Sequence, residues 1–114
     1  MKAKLIIKST LMTACLMAAL AGTARADDAK ALWEKTCASC HGKDGTGKTM
    51  MGKKAGCRDY TDATVSASLD DTKAFNVIKN GLTEDGKDRM KAFGSKFSDD
   101  EIKSLVAYVH SFKK

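Results

Sequence analysis

The chain has 114 residues, four cysteines, no proline and a formal net charge of +6, with 30% of its residues charged. That length accommodates one small domain rather than several. The charge is uneven: Lys2, Lys4, Lys8 and Arg25 fall in the first 26 residues, which hold no acid, so residues 27–114 carry only +2 and a nucleic-acid-binding role loses its support.

The leading segment accounts for that asymmetry. Lys2, Lys4 and Lys8 make a positive start, Leu11 to Ala21 is a short apolar run, and Ala24-Arg25-Ala26 ends in small-residue spacing. This is the layout of a secretory signal peptide, residues 1–26, cleaved before Asp27. A membrane span needs about 20 apolar residues, more than this run offers, so no stable membrane insertion is expected. Cys15 raises a lipoprotein signal, but Met12-Thr13-Ala14 fits one poorly and leaves almost no apolar core upstream. The expectation is a soluble exported protein, periplasmic in location, formed by residues 27–114.

Asp27 and Asp28 suit the positive end of a first helix. Ala29, Leu32, Trp33, Thr36, Cys37 and Cys40 then recur at helical spacing, which carries two thiols to one face. The segment Cys37-Ala38-Ser39-Cys40-His41 is the C-x-x-C-H pattern of c-type haem attachment. Two thiols so spaced meet the two vinyl groups of one porphyrin, and the adjacent imidazole serves as the proximal iron ligand. A thioredoxin-like pair would want a strand before it in a βαβ setting, and these flanks read as helix. A zinc site needs a second ligand pair, and the other histidine, His110, has no partner near it in the sequence. One covalent haem c with its iron is therefore expected. In so small a domain it supplies a large apolar plate for helices to pack around.

The glycines and lysines from Gly42 to Gly56 imply loop. Gly42-Lys43-Asp44-Gly45-Thr46-Gly47-Lys48-Thr49 formally satisfies the phosphate-loop pattern G-x-x-x-x-G-K-T. That loop works between a strand and a helix of a βαβ unit, whereas here it follows the motif histidine; its glycines instead suit a tight loop near the haem. Cys57 is the leftover thiol, read as a small buried residue in preference to a disulfide-linked dimer or a reactive thiol. Tyr60 is a candidate to line the haem pocket or reach a propionate. A short helix starts near Thr61 or Asp62. A clearer one covers about Asp70 to Asn80, with Ala74, Phe75 and Ile78 inward and Gly81 past its end. Ser98-Asp99-Asp100-Glu101 opens the last helix as a capping box, with Ile102, Leu105, Val106, Val109 and Phe112 on its apolar face. No segment shows strand alternation, so the expected fold class is all-α.

On these residues the chain resembles the class I c-type cytochromes, small bacterial monohaem proteins. An N-terminal helix enters C-x-x-C-H, Trp33 stands four residues before the first cysteine, and the last helix carries Leu105-Val106-Ala107-Tyr108. The resemblance covers nearly all of residues 27–114. It implies that the first and last helices cross in close contact, with Ala29 facing Tyr108. The four-helix-bundle cytochromes c′ carry the motif near the C-terminus instead. The resemblance also implies haem bound covalently by Cys37 and Cys40, with iron held by His41 and by a methionine from a loop before the last helix. Family members commonly have Met-Pro-x-Phe there, and Met90-Lys91-Ala92-Phe93 matches it with Lys91 in place of the proline. Met50 and Met51 lie only nine and ten residues past His41, a short path round a porphyrin. The implied function is carriage of single electrons between redox proteins of an electron-transfer chain, by a monomer and without catalytic residues. The alternatives are a haem component of an enzyme, or a gas-binding or peroxidase-like haem protein with an open iron. Lys43, Lys48, Lys53 and Lys54 on one loop and Lys87, Lys91 and Lys96 on the other would steer acidic partners.

Overall fold

The computed structural model describes residues 26–114; the expected leader lies outside them, Ala26 apart. No helix among the described residues is long and apolar enough to cross a membrane.

The first helical run is continuous but not uniform. α1 (Ala26–Leu32) carries Asp27 and Asp28 in its first turn, where carboxylates meet the positive end of the helix dipole. Lys30 pairs with Glu34 one turn on, at 3.5 Å. The chain then widens into a π-helical stretch, Trp33–Cys37, closed by the Ala38 N–H donating to the Trp33 carbonyl, before α2 (Ala38–His41). A π-turn inserts a residue into the α-helical count, a phase change that a 3.6-residue stripe does not announce. Trp33 is buried in this run, while Thr36, Cys37 and Cys40 are half-buried. Gly42, at φ +81°, ends it.

α3 (Met50–Ala55) lies inside the stretch expected to be loop. The Thr49 side chain caps it by accepting from the Gly52 N–H, and Gly56 closes it in the left-handed conformation. Those two residues are the start and stop signals that the glycine and lysine content conceals. α4 (Ala63–Ser68) begins at Asp62, whose carboxylate accepts from the Thr64 and Val65 N–H groups. α5 (Asp71–Asn80) is capped by Asp70 and followed by Gly81. α6 (Asp99–His110) opens with the full capping box between Ser98 and Glu101. All three begin where the sequence indicated and α5 also ends there, whereas α6 stops at His110, so Phe112, expected on its apolar face, lies just past its end.

The all-α expectation holds for the main elements and needs one correction. Between α5 and α6 stands a two-stranded antiparallel hairpin, β1 (Leu82–Glu84) and β2 (Lys87–Met90). Glu84 faces Lys87 in register, and the connecting Asp85 and Gly86 both have positive φ, +52° and +73°. This is the mirror-image two-residue turn that Asp-Gly favours. The strands show no apolar alternation because neither face is buried along its length.

α1 and α6 pack together as the resemblance implied. Ala29 is 1% exposed, a side chain small enough to let the helices approach, and Tyr108 lines the same crevice. Trp33, Phe97, Ile102, Leu105 and Val109 form the core; burying a large apolar side chain contributes about 1.5–3 kcal/mol. α5 is tied to α6 at both ends, by Lys79 Nζ to Asp99 at 3.1 Å and by His110 Nε2 to Asp71 at 2.5 Å.

Candidate haem site

His41 ends α2 and is gripped on two sides. The Trp33 ring centroid lies 5.4 Å from the imidazole and that of Tyr60 5.7 Å. Trp33 Nε1 donates to the Gly42 carbonyl at 2.9 Å, tying the residue after the histidine back to the first helical run. Aromatic packing continues from Trp33 to Phe112 at 5.0 Å and Tyr108 at 5.8 Å, so the histidine rests on the α1–α6 crossing. The Gly47 N–H donates to the His41 carbonyl at 2.8 Å, folding the glycine loop back over α2. No strand precedes this loop among the described residues, which leaves the phosphate-loop reading without its structural setting.

Burial holds the His41 pKa below its ordinary value, which keeps the ring neutral. Its Nδ1 is buried without a hydrogen-bond partner among the described residues. A neutral imidazole is the form that ligates a metal, and an orphaned buried polar atom asks for a further group to complete the site. Cys37 and Cys40, one turn apart on the same run, are free and half-buried. Burial first, and the charge of Cys40 second, push the Cys37 thiol up to about 11, against the pull of Lys96. At neutral pH it is an S–H, ready to add across a carbon–carbon double bond. Two thiols and a neutral imidazole among aromatic walls fit a covalently attached haem and its iron.

α3 serves the same segment. Thr49 Oγ1 donates to the Cys40 carbonyl at 2.6 Å while accepting from the Gly52 N–H at 2.8 Å. A Cβ on Gly52 would overlap the carbonyl oxygens of Cys40 and Gly47, so glycine is what lets α3 sit so close. Thr49 and Gly52 are supporting residues that the loop reading missed. The visible signal was Thr49 followed, after the six residues Met50–Ala55, by Gly56. Cys57 packs its carbonyl and Cβ against Gly47, and burial followed by the charge of Cys40 raises its pKa. Tyr60 N–H donates to the Gly45 carbonyl at 2.9 Å. Burial is also the main cause of its raised pKa, in keeping with a wall residue.

Met90 stands on a different element. It ends β2, is half-buried, and pairs across the hairpin with Leu82. The next residues are pinned to the end of α5: Phe93 N–H donates to the Ile78 carbonyl at 2.9 Å and Gly94 N–H to the Lys79 carbonyl at 3.0 Å. A Cβ on Gly94 would stand 2.9 Å from the Lys79 oxygen, and one on Gly81 2.8 Å from the Met90 oxygen. Phe93 stacks on Phe97 at 5.6 Å. Backbone bonds thus stiffen the segment in which Lys91 replaces a proline. The structure therefore gathers Cys37, Cys40 and His41 on one helical run and sets Met90 on the hairpin. Met50 and Met51 stay outward on α3, and His110 is engaged with Asp71.

Comparison with known proteins bears on the family and the fold. The family model described as cytochrome C oxidase, cbb3-type, subunit III matches residues 24–109. The chain is 28% identical over 88 residues to the cbb3-type cytochrome c oxidase subunit CcoP of Azospirillum brasilense, covering 77% of this chain and 28% of that protein. It thus spans well under a third of that relative's length. Among solved structures, the KustC0563 c-type cytochrome superposes with a TM-score of 0.65 at 32% identity, covering 75% of this chain and 98% of the other. A tyrosine-to-phenylalanine variant of that cytochrome gives 0.66 at 34% identity, with 75% and 99% covered.

Proposed function

Because this chain belongs to the family of cbb3-type cytochrome c oxidase subunit III and is a c-type cytochrome domain with covalent haem c and its iron, we propose that it carries single electrons between redox proteins with iron held by His41 and Met90. Cys37 and Cys40 form the two thioether links in this reading. The observation that carries it is the pairing of a neutral, partner-poor His41 beside two free thiols with a separately clamped Met90.

Haem c, when bound, supplies the reversible one-electron couple. The chain's own residues fix and tune it. Cys37 and Cys40 anchor the group, and His41, kept neutral by burial, has a lone pair to give. Trp33, Tyr60 and the α1–α6 crossing hold the imidazole still and keep water away. Met90 offers a soft thioether, which favours the ferrous state and raises the potential. The reading places the domain in the periplasm as a monomer, with residues 1–26 removed and Cys57 a free thiol that is half-buried rather than fully buried.

A second reading, a haem component of an oxidase, is favoured by one observation: the curated relative is an oxidase subunit of which this chain spans 28%. Absorbance spectra of the exported protein separate the readings from an open iron site. Expected are an intact mass of residues 27–114 plus one haem, a weak long-wavelength ferric band, and no carbon monoxide binding without denaturant. Free carbon monoxide binding would sink the carrier reading, and copurification of an oxidase catalytic subunit would favour the second.

A further inference from the structure

The exposed large apolar side chains among the described residues are Met50, 77% exposed, and Met51, 55% exposed. A methionine turned outward is a flexible, polarisable contact that adapts to varied surfaces. Both belong to α3, which Thr49 and Gly52 seat directly on the Cys40 backbone. Around them Lys48, Lys53, Lys54 and Arg58 are exposed, and no acid occurs from Gly45 to Arg58. The acids that bracket the stretch turn into their own loops: Asp44 accepts from Thr46, and Asp59 from Thr61. Among the described residues no ion pair involves Lys53 or Lys54. The hairpin differs. Its Lys87 and Arg89 are interleaved with Glu84, Asp85 and Asp88, so its net field is weak.

Resting on the electron-carrier reading, we infer that α3 is the face on which a redox partner docks. Met50 and Met51 form its apolar centre, and Lys48, Lys53, Lys54 and Arg58 its rim. The partner presents an apolar spot ringed by carboxylates. A one-signed rim steers such a partner in and fixes its orientation, while the apolar centre gives close contact beside the Cys40 attachment segment.

The test uses the ferrous holoprotein in stopped flow, with hexacyanoferrate(III) as an anionic probe. One electron passes from protein to probe, leaving ferric protein and hexacyanoferrate(II). Lys53→Glu combined with Lys54→Glu should slow oxidation about fivefold or more at about 10 mM ionic strength, where charges act over about 30 Å. The difference should close at about 1 M, where the reach is about 3 Å. Lys87→Glu combined with Arg89→Glu, compared at about 0.1 M, where charges act over only about 10 Å, should slow oxidation less than the α3 pair does. An equal or larger effect of the hairpin pair overturns the docking face and leaves electron carriage standing. Wild-type protein that exchanges electrons sluggishly while taking up carbon monoxide sinks the carrier reading itself. For the apolar centre, chloramine-T in the dark should convert Met50 and Met51 of the holoprotein to sulfoxides and spare Met90, read by peptide mass. Protection of Met50 and Met51 would mean that the haem covers them, which also overturns the proposal.

Discussion

His41 and Met90 stand on two kinds of scaffold. His41 is positioned by side chains: the Trp33 and Tyr60 rings, the Trp33 Nε1 bond to Gly42, and the aromatic packing that reaches α6. Met90 is positioned by main chain: strand pairing with Leu82, two N–H bonds to the last carbonyls of α5, and two glycines that leave no room for a Cβ. The first scaffold depends on which residues are present, whereas the second depends on clearance between backbones. Substitutions should therefore fail differently on the two sides.

The largest effect is expected on the helical side. Cys40→Ser should remove most of the covalently attached haem, measured by haem staining and intact mass, whereas Cys57→Ser should keep it. Full attachment in Cys40→Ser would show that the wrong thiols have been assigned. Next comes Met90→Ala, which should leave the haem attached but open the iron. The long-wavelength ferric band should vanish and the potential should fall, because the thioether that favours ferrous iron is gone. Met50→Ala and Met51→Ala should leave the band in place, and the reverse pattern would move the distal ligand to α3.

A subtler break tests the clamp without touching Met90. Gly94→Ala pushes a Cβ against the Lys79 carbonyl, 2.9 Å away, and overpacking of this kind costs about 1–3 kcal/mol. Denaturation of the holoprotein should show that loss together with a weakened long-wavelength band. A loss of stability with the band at full strength would mean that the clamp holds the fold and not Met90. The smallest effect belongs to Ser98→Ala, which removes one half of the α6 capping box. It should cost about 1 kcal/mol and leave the spectrum unchanged, since Trp33 meets Tyr108 in the last turn of α6 and Phe112 just past its end, far from its start.

The sequence was most legible where chemistry and local spacing coincide. Cys37, Cys40 and His41 fall on one helical run, as their spacing indicated, and Asp62, Asp70 and Ser98 cap where expected because a capping side chain acts on N–H groups two or three residues away. The π-stretch at Trp33–Cys37 escaped because hydrophobic periodicity assumes a constant turn. α3 escaped because Gly52 and its lysines read as loop, and only the packed structure shows why a glycine belongs inside that helix. The hairpin carried the Asp85-Gly86 turn signal, but its strands are exposed and lack alternation, so the pattern that normally reveals strands had nothing to report. The Met90 clamp is made of backbone groups, which every residue possesses, and no residue pattern could have shown it.

Gly52 sets the freedom to vary along α3. Position 52 tolerates no side chain at all, while positions 50, 51, 53 and 54 look into solvent. A helix of six residues thus combines one immovable seat with a freely rewritable outer surface. Drift on that surface changes what the molecule offers to its surroundings without loosening the segment that bears Cys40. Descendants of such a chain can diverge in whom they meet while keeping unaltered the part that retains the cofactor.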